Sequence, residues 1–447
     1  MTTKHHKKNP DNVFQKDIPK FVIAIIEQLQ NKGFQAYVVG GSIRDMLLNR
    51  PVMDWDVATS ASPDEIRSLF QNIRNFTLKH ETVTLVDSGK LYELTTFRDS
   101  GSFSRNIKED LGHRDFTINA MAYDLCKKAI VDPKGGREDL IGKLVRAVGD
   151  PNERFKEDPL RLLRAVRISA ELEFTIERRT MEAINKLSGK LAFVSRERVR
   201  DELMKILLSK RPSKGFSLMR RTGLLKELLP ELLEGFMKKQ NAYHRYTIYR
   251  HIMETINRVE PDPILRLTAL LHDIAKPRVR QKIKGEFRFY KHAEASALLA
   301  WEIMERLRFS KGMIRKVTHL IALHMIMYDS KWGDGAVRRF MRRAGREHIE
   351  PLLSFRRADL SAHGFIDKKM DLLLELEKRV GELKEKSLVM DVRDLAVGGK
   401  IIMNIMGLSA GPDVGKTLEI LMEKVTDHPE LNNEDGLINL LKEMRNN

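Results

Sequence analysis

The stretch Val38-Val39-Gly40-Gly41-Ser42-Ile43-Arg44-Asp45 decides how the first third of the chain is read. An apolar run, Ala36 to Val39, has the character of a buried strand, and the segment from Ser42 to Leu48 has the period of a helix. Two glycines join them. At that junction backbone N–H groups and the positive end of a helix dipole can hold phosphate oxygens, and the absence of side chains lets a ligand approach. Further on, Asp54-Trp55-Asp56 opens a β-type run. Strand side chains alternate faces, so the two carboxylates point one way and Trp55 the other. Neighbouring carboxylates repel unless a cation lies between them, which is the arrangement of a magnesium site for phosphoryl or nucleotidyl transfer. A surface D-x-D in a turn is the competing reading. Glu93, within Leu91-Tyr92-Glu93-Leu94-Thr95, is either a third carboxylate from a neighbouring strand or an outward edge charge.

Outward from this centre, residues 14–149 mix the two periods. A helical pattern covers Phe21 to Leu29, and β-type runs cover Trp55 to Ala58, Val83 to Val86, Leu91 to Phe97 and Ala129 to Asp132. This predicts an α+β head with a small sheet. From Asn152 to about Lys205 the pattern is helical, with Leu160, Leu163, Val166 and Ala170 three and four residues apart. Beyond Pro212 almost everything reads as helix, punctuated by Pro230, Pro261, Pro263 and Pro277, with turns at Gly398-Gly399 and Gly411-Pro412. The expected organisation is a basic tail (1–13), the head (14–149), a helical neck (150–210), a connector (211–245), a second helical domain (246–365) and a helical tail (366–447).

The chain has 447 residues, roughly three ordinary domains. Its 79 Lys+Arg against 62 Asp+Glu leave a net charge of +17, which would draw a nucleic acid or an anionic membrane surface. No apolar segment reaches the roughly 20 residues that span a bilayer. The start is basic and polar without the apolar stretch of a signal peptide, so a cytoplasmic protein is expected. The single cysteine, Cys126, inside the apolar run Ala122 to Ile130, excludes an intrachain disulfide and a zinc cage, and its thiol is expected in the core.

Five motifs in order carry a resemblance that none carries alone. They are Gly-Gly-x-x-Arg-Asp at 40–45, Asp54-x-Asp56 followed by Val57-Ala58-Thr59-Ser60, Arg114-Asp115-Phe116-Thr117-Ile118-Asn119-Ala120, Asp132-Pro133 with Gly135-Gly136, and Glu157-Asp158-Pro159-Leu160-Arg161-Leu162-Leu163-Arg164-Ala165-Val166-Arg167. Together they resemble the class II tRNA nucleotidyltransferase and bacterial poly(A) polymerase family over residues 35 to about 210. The resemblance implies a polymerase-β-like head with Asp54 and Asp56 as Mg²⁺ ligands and a neck that reads bases. It implies that Asp158 and Arg161 pair with the incoming C or A, that Arg114, Arg164 and Arg167 contact the nucleotide, and that Gly41 and Arg44 belong to the glycine loop.

The residues of the neck agree with that. Asp158 and Arg161 lie one turn apart on one helical face, so a carboxylate acceptor and a forked donor can present a fixed hydrogen-bonding edge. Such an edge can take the place of a template. Without the head motifs, a surface ion pair between the two would be the simpler reading.

Two departures stand out. The span from Arg98 to His113 is shorter than in many full CCA-adding relatives, where a longer insertion helps to switch specificity from C to A; enzymes that add only two cytidines have it shortened. Glu81 occupies a position where relatives usually have glycine.

In the second half His251, His272-Asp273 and Asp359 resemble the ordered ligands of an HD-type metal-dependent phosphohydrolase domain, with His292 and His324 as further candidates for a second divalent metal. Leu270-Leu271-His272-Asp273 ends an apolar helix with an imidazole and a carboxylate side by side, both able to reach one ion. Gly411-Pro412-Asp413-Val414-Gly415-Lys416-Thr417 fails the spacing of a phosphate loop and reads as a helix start. Arg338, Arg339, Arg342, Arg343 and Arg346 recur at helical spacing and face either RNA or solvent.

The expected function is template-independent addition of C and then A to the tRNA acceptor arm from CTP and ATP, with release of pyrophosphate. CC-only addition, poly(A) synthesis, an HD phosphohydrolase with a binding-only head, and a non-catalytic RNA-binding protein are the alternatives.

Overall fold

The computed structural model describes residues 17–77, 82–98, 106–241, 244–364, 369–385 and 391–446. Glu81 and residues 99–105 of the short span lie outside them. The chain forms two compact units: one runs to Ile206 and takes in Ser217–Leu228, and the other holds Leu207–Phe216 and everything from Leu229.

The first unit starts with α1 (Lys20–Asn31), which buries Val22, Ile25, Ile26 and Leu29 along one stripe. Then follow β1 (Ala36–Val39), α2 (Gly41–Leu47), β2 (Trp55–Thr59), α3 (Pro63–Leu69), β3 (Asn75–Thr77), β4 (Thr82–Asp87) and β5 (Lys90–Thr96). After α4 (Ile107–Gly112) come β6 (Ala122–Asp124), β7 (Ala129–Val131) and α5 (Gly136–Ile141). The strands make one sheet in the order β3-β4-β5-β2-β1-β6-β7. Only β2 and β5 run parallel in it, and their register sets Asp56 opposite Glu93. Val39, Ala58, Phe97, Leu111, Ala122 and Val148 pack together beneath that centre. The expected α+β head is present, with its strands a residue or two longer or shorter than their apolar runs.

Cys126 is a correction. The strand ends at Asp124, whose Oδ1 accepts the N–H groups of Cys126 (3.0 Å) and Lys127 (3.1 Å) and turns the chain into β7. The thiol is therefore exposed on a hairpin turn, 3.2 Å from Gln30 Oε1.

The neck comprises β8 (Leu144–Val145), α6 (Pro151–Glu157), α7 (Arg161–Leu172), β9 (Thr175–Ile176), α8 (Arg178–Leu187) and α9 (Arg196–Leu207). Leu160, Leu163, Val166 and Ala170 are all buried, as their spacing predicts. The stretch is not continuously helical. Glu173 adopts a left-handed conformation that ends α7, and the β-branched pair Thr175-Ile176 then joins β8 in a short parallel ladder. Nor do Asp158 and Arg161 share a helix. Pro159 forces the residue before it out of the α region, so Asp158 is extended (φ −141°) at the end of α6 and Arg161 opens α7.

After α10 (Pro212–Arg221) and α11 (Leu224–Leu228), the second unit continues with α12 (Pro230–Glu234), α13 (Ile248–Arg258), α14 (Pro263–Leu271) and α15 (Lys276–Val279). A hairpin, β10 (Gln281–Ile283) and β11 (Glu286–Arg288), interrupts the helices around Gly285. Helices α16 (His292–Arg306), α17 (Lys311–Leu323), α18 (Asp334–Ala344), α19 (Ile349–Ser361) and α20 (Lys369–Glu385) follow, then α21 (Gly399–Met406), α22 (Pro412–Asp427) and α23 (Glu434–Asn446). Leu395, Ile402, Leu421, Val425, Leu437 and Leu441 form a core for the last three. Gly411-Pro412 starts α22, with Lys416 exposed and paired to Asp413 (2.9 Å), so the near-match to a phosphate loop is a helix start. Among the described residues no helix is long and apolar enough to cross a membrane.

Candidate functional site

In the first unit a cleft of about 560 Å³ gathers residues from four of the motifs: Gly40 and Gly41, Asp56, Arg114, and Asp158, Arg161 and Arg164; Asp54 and Glu93 are not among its lining residues. Trp55 is buried between exposed Asp54 and half-buried Asp56, as strand alternation requires. Burial pushes the Asp56 carboxyl up, Asp54 adds to the rise, and Arg114 opposes it. Burial also raises Glu93, and Asp56 and Asp54 raise it further. Three mutually repelling carboxylates on adjacent strands fit a divalent cation, which would favour their ionised forms.

The glycine that matters most here is Gly40. Its φ is +78°, and a Cβ there would lie 3.1 Å from Arg114 Nη1 and 3.3 Å from Asp56 Oδ2. Gly41 opens α2, and a Cβ on it would meet the Arg44 guanidinium at 3.4 Å. Arg44 does not line the cleft; it is held by Asp45 (2.9 and 3.0 Å) and Asn119 Oδ1 (2.8 Å) and braces the glycine loop from behind.

Arg114, Arg161, Arg164 and Arg198 each have an acidic partner. Arg114 donates to Asp110 Oδ2 (3.1 and 3.2 Å), and Asp110 also takes the Arg98 N–H. Arg164 pairs with Asp115 (2.8 Å), which also accepts from Asn119 and from the Phe116 N–H. Burial alone would raise the Asp115 carboxyl, but Arg164 and these hydrogen bonds hold it below the usual range. Arg161 is fixed by Glu157 (3.1 Å) and by the carbonyls of Arg154 and His113. The Asp158 carboxylate accepts the Leu160 N–H at one oxygen and pairs with Arg198 (2.8 Å) at the other. Asp158 and Arg161 therefore do not neutralise each other, and both face the cleft. Arg167 departs from expectation: bound to Glu202 (2.7 Å) and Glu171 (3.0 Å), it does not line the cleft and joins α7 to α9.

Arg98, Asp110, His113, Asn119 and Arg198 line the cleft without having been singled out from the sequence. Asp115 and Asn119 stood inside a quoted motif, and asking what would hold a buried arginine could have found them. Arg198 carried no local signal.

In the second unit His251, His272, Asp273 and Asp359 are all nearly inaccessible and converge. His251 Nε2 lies 2.9 Å from Asp359 Oδ1 and 3.5 Å from Asp273 Oδ2, and His272 Nε2 lies 3.2 Å from Asp273 Oδ2. His292 and His324 approach the other oxygen of Asp273 at 3.6 and 3.9 Å. Asp273 thus lies between two histidine pairs. Each ring turns its Nδ1 to a backbone carbonyl, of Ala362, Ala269, Phe289 and Ile321 respectively. This leaves every Nε2 pointing at the carboxylates with the tautomer that ligates metal.

Both Asp273 oxygens, Asp359 Oδ1 and His292 Nε2 are buried without a well-formed hydrogen bond, although Lys276 Nζ stands 2.6 Å from Asp273. Burial lowers the His324 pKa to about 3, and burial opposed by Asp273 leaves His292 lowered as well. Burial would also lower His272, but the carboxylates push it up to about 9. That proton and a divalent cation compete for one place. The donor set, imidazole with carboxylate, suits a transition metal. His244 and His363 stand beside His251 and were not anticipated.

The poly A polymerase head domain family matches residues 36–146, the probable RNA- and SrmB-binding site of polymerase A matches 173–235, and the HD domain matches 244–362. The CCA-adding enzyme of Streptococcus thermophilus is 30% identical over 97% of both chains. That of Geobacillus thermodenitrificans is 31% identical over 92% of this chain and 93% of its own. The solved structure of the Bacillus stearothermophilus CCA-adding enzyme in complex with CTP is similar at TM-score 0.69 and 29% identity, covering 98% of each chain. With a glycine loop, Asp56 and a neck edge in one cleft, and relatives matching nearly end to end, this chain belongs to the family of CCA-adding enzymes.

Proposed function

We propose that the head and neck add C, C and A to the 3′ end of tRNA from CTP and ATP, a cytoplasmic task. The observation that carries this is that Asp56 lines one cleft with Asp158 and Arg161, which are held by Arg198 and Glu157 and not by each other. Cytosine and adenine both offer an amino donor beside a ring-nitrogen acceptor; uracil and guanine offer the reverse. Asp158 accepts from the amino group and Arg161 donates to the ring nitrogen, so the protein supplies the selection a template would. Arg114 and Arg164 orient the triphosphate, and the glycine loop lets it approach Asp56. Asp54 and Asp56, with Glu93 beside them, would hold Mg²⁺, which when bound supplies positive charge to the reacting phosphate and the attacking hydroxyl. The protein's own contribution is positioning and charge complementarity.

The test is to incubate tRNA lacking its 3′ terminus with CTP, ATP or both and to read product length at single-nucleotide resolution. Three added nucleotides with both substrates and two with CTP alone are expected. Arrest at two with both substrates would assign CC addition, a ladder of adenylates would assign poly(A) synthesis, and binding without extension would leave the head a binding module.

For the second unit we infer a divalent metal centre on His251, His272, Asp273 and Asp359, extended by His292 and His324. The buried oxygens of Asp273 and Asp359 that lack good hydrogen bonds support it. With Lys276 and Arg356 lining the same cavity, phosphate-ester hydrolysis is the chemistry it fits.

A further inference from the structure

The arginine-rich helix α18 divides its side chains between two jobs. Arg338 donates to the Thr426 carbonyl, Arg339 pairs with Asp427 and Arg342 with Glu419 (2.6 Å), all on α22. These three fasten one helix to another and are spent. Arg343 points elsewhere, into a groove of about 800 Å³ that also takes in Arg315 and Lys316 of α17, Arg346, and Arg393. Gly312, Arg315, Lys316 and His319 follow the three- and four-residue spacing of a single helical face.

The groove holds five cationic side chains against two acidic ones, Glu347 and Asp391. Both acids are already engaged, by Lys316 (2.9 Å) and Arg393 (2.8 Å). Arg315 and Arg343 are exposed and have no side-chain partner among the described residues. At the floor His319 Nε2 donates to the Ala344 carbonyl (2.8 Å), and its ring lies tilted against His348 with centroids 4.8 Å apart. His348 Nε2 is buried, 3.7 Å from Glu347 Oε1.

We infer that this groove is a docking surface for an RNA backbone, with Arg315 and Arg343 as its phosphate contacts. Unpaired guanidinium groups at a concave surface bind phosphate oxygens in forked geometry. The inference rests on the proposed tRNA substrate and assigns a surface remote in sequence from the head and neck motifs.

The test uses the full chain with Arg315→Gln and Arg343→Gln together, and the same pair changed to Lys. The Kd for tRNA is measured over a range of salt, with the KM for CTP at saturating tRNA and the melting temperature alongside. Loss of two phosphate contacts should weaken tRNA binding about tenfold or more and flatten the log Kd against log salt slope by about 1.5. The Lys pair should restore the slope, and the KM for CTP and melting temperature should not move. If the wild-type chain extends tRNA and the Gln pair keeps its affinity and slope, the groove assignment is wrong and the proposed function stands. If the wild-type chain does not bind tRNA, both fall together.

Discussion

Asp56 on β2 stands directly across from Glu93 on β5, in the sheet's parallel pairing. Burial raises both carboxyls, and Asp56 raises Glu93 further. Replacing Glu93 by Gln removes a repulsion from the resting protein and a negative charge from the reacting centre. The melting temperature should stay level or rise, while kcat for CMP incorporation falls about a hundredfold. A wild-type rate in Glu93→Gln would place the residue outside the chemistry. Asp54→Ala and Asp56→Asn should be more severe, without detectable incorporation in folded protein.

Asp158 and Arg198 form the second pair to separate. Arg198 restrains one oxygen of the carboxylate proposed to accept the base amino group. Asp158→Asn replaces an acceptor by a group that also donates, so UTP and GTP should compete better. A forked contact to a base edge is worth about 1–3 kcal/mol, or roughly 5- to 150-fold in selectivity. Arg198→Met leaves the acceptor in place and frees its rotamer, so its loss of selectivity should be smaller. Competition assays with all four triphosphates measure both, and unchanged selectivity in Asp158→Asn would end the base-reading argument.

The difference between Arg161 and Arg167 shows what the sequence could and could not say. Both lie in one motif, and spacing alone makes them equivalent candidates. Only the fold shows that Glu202, far along the chain, captures Arg167 while the turn at Pro159 swings Arg161 to the cleft. Strand alternation at Asp54-Trp55-Asp56 was legible because period-two geometry is local. Cys126 was misread because an apolar run looks the same whether it is one strand or two strands and a turn. The histidine centre was legible in its ligands, while the carbonyls that orient each ring are backbone groups no sequence pattern marks.

Asp115 gives a pH signature. Its folded pKa lies below the ordinary 3.8, since Arg164 and two hydrogen bonds outweigh its burial. A depressed carboxylate stabilises the fold fully above its unfolded value, and that contribution is lost as pH falls through the folded value. Asp115→Asn should therefore cost about 2 kcal/mol at neutral pH, and the gap to wild type should narrow below about pH 4. Chemical denaturation at several pH values measures it. A gap independent of pH would show that the Arg164 pair contributes nothing through charge.

The centre around Asp273 can be separated from the head by metal content. Asp273 lies within 3.9 Å of four histidine Nε2 atoms and so serves both halves of the cluster. Metal that binds only the folded state stabilises it by about 2.7 kcal/mol at a hundredfold excess over Kd. Wild-type protein stripped with chelator and reloaded with Mn²⁺ should regain metal and melting temperature together. Asp273→Asn should retain less metal by elemental analysis and show little or no shift on reloading, while its CMP incorporation with Mg²⁺ stays at the wild-type rate. Equal metal content and equal shifts in the two proteins would show that Asp273 is held by Lys276 alone and that the histidines are packing residues.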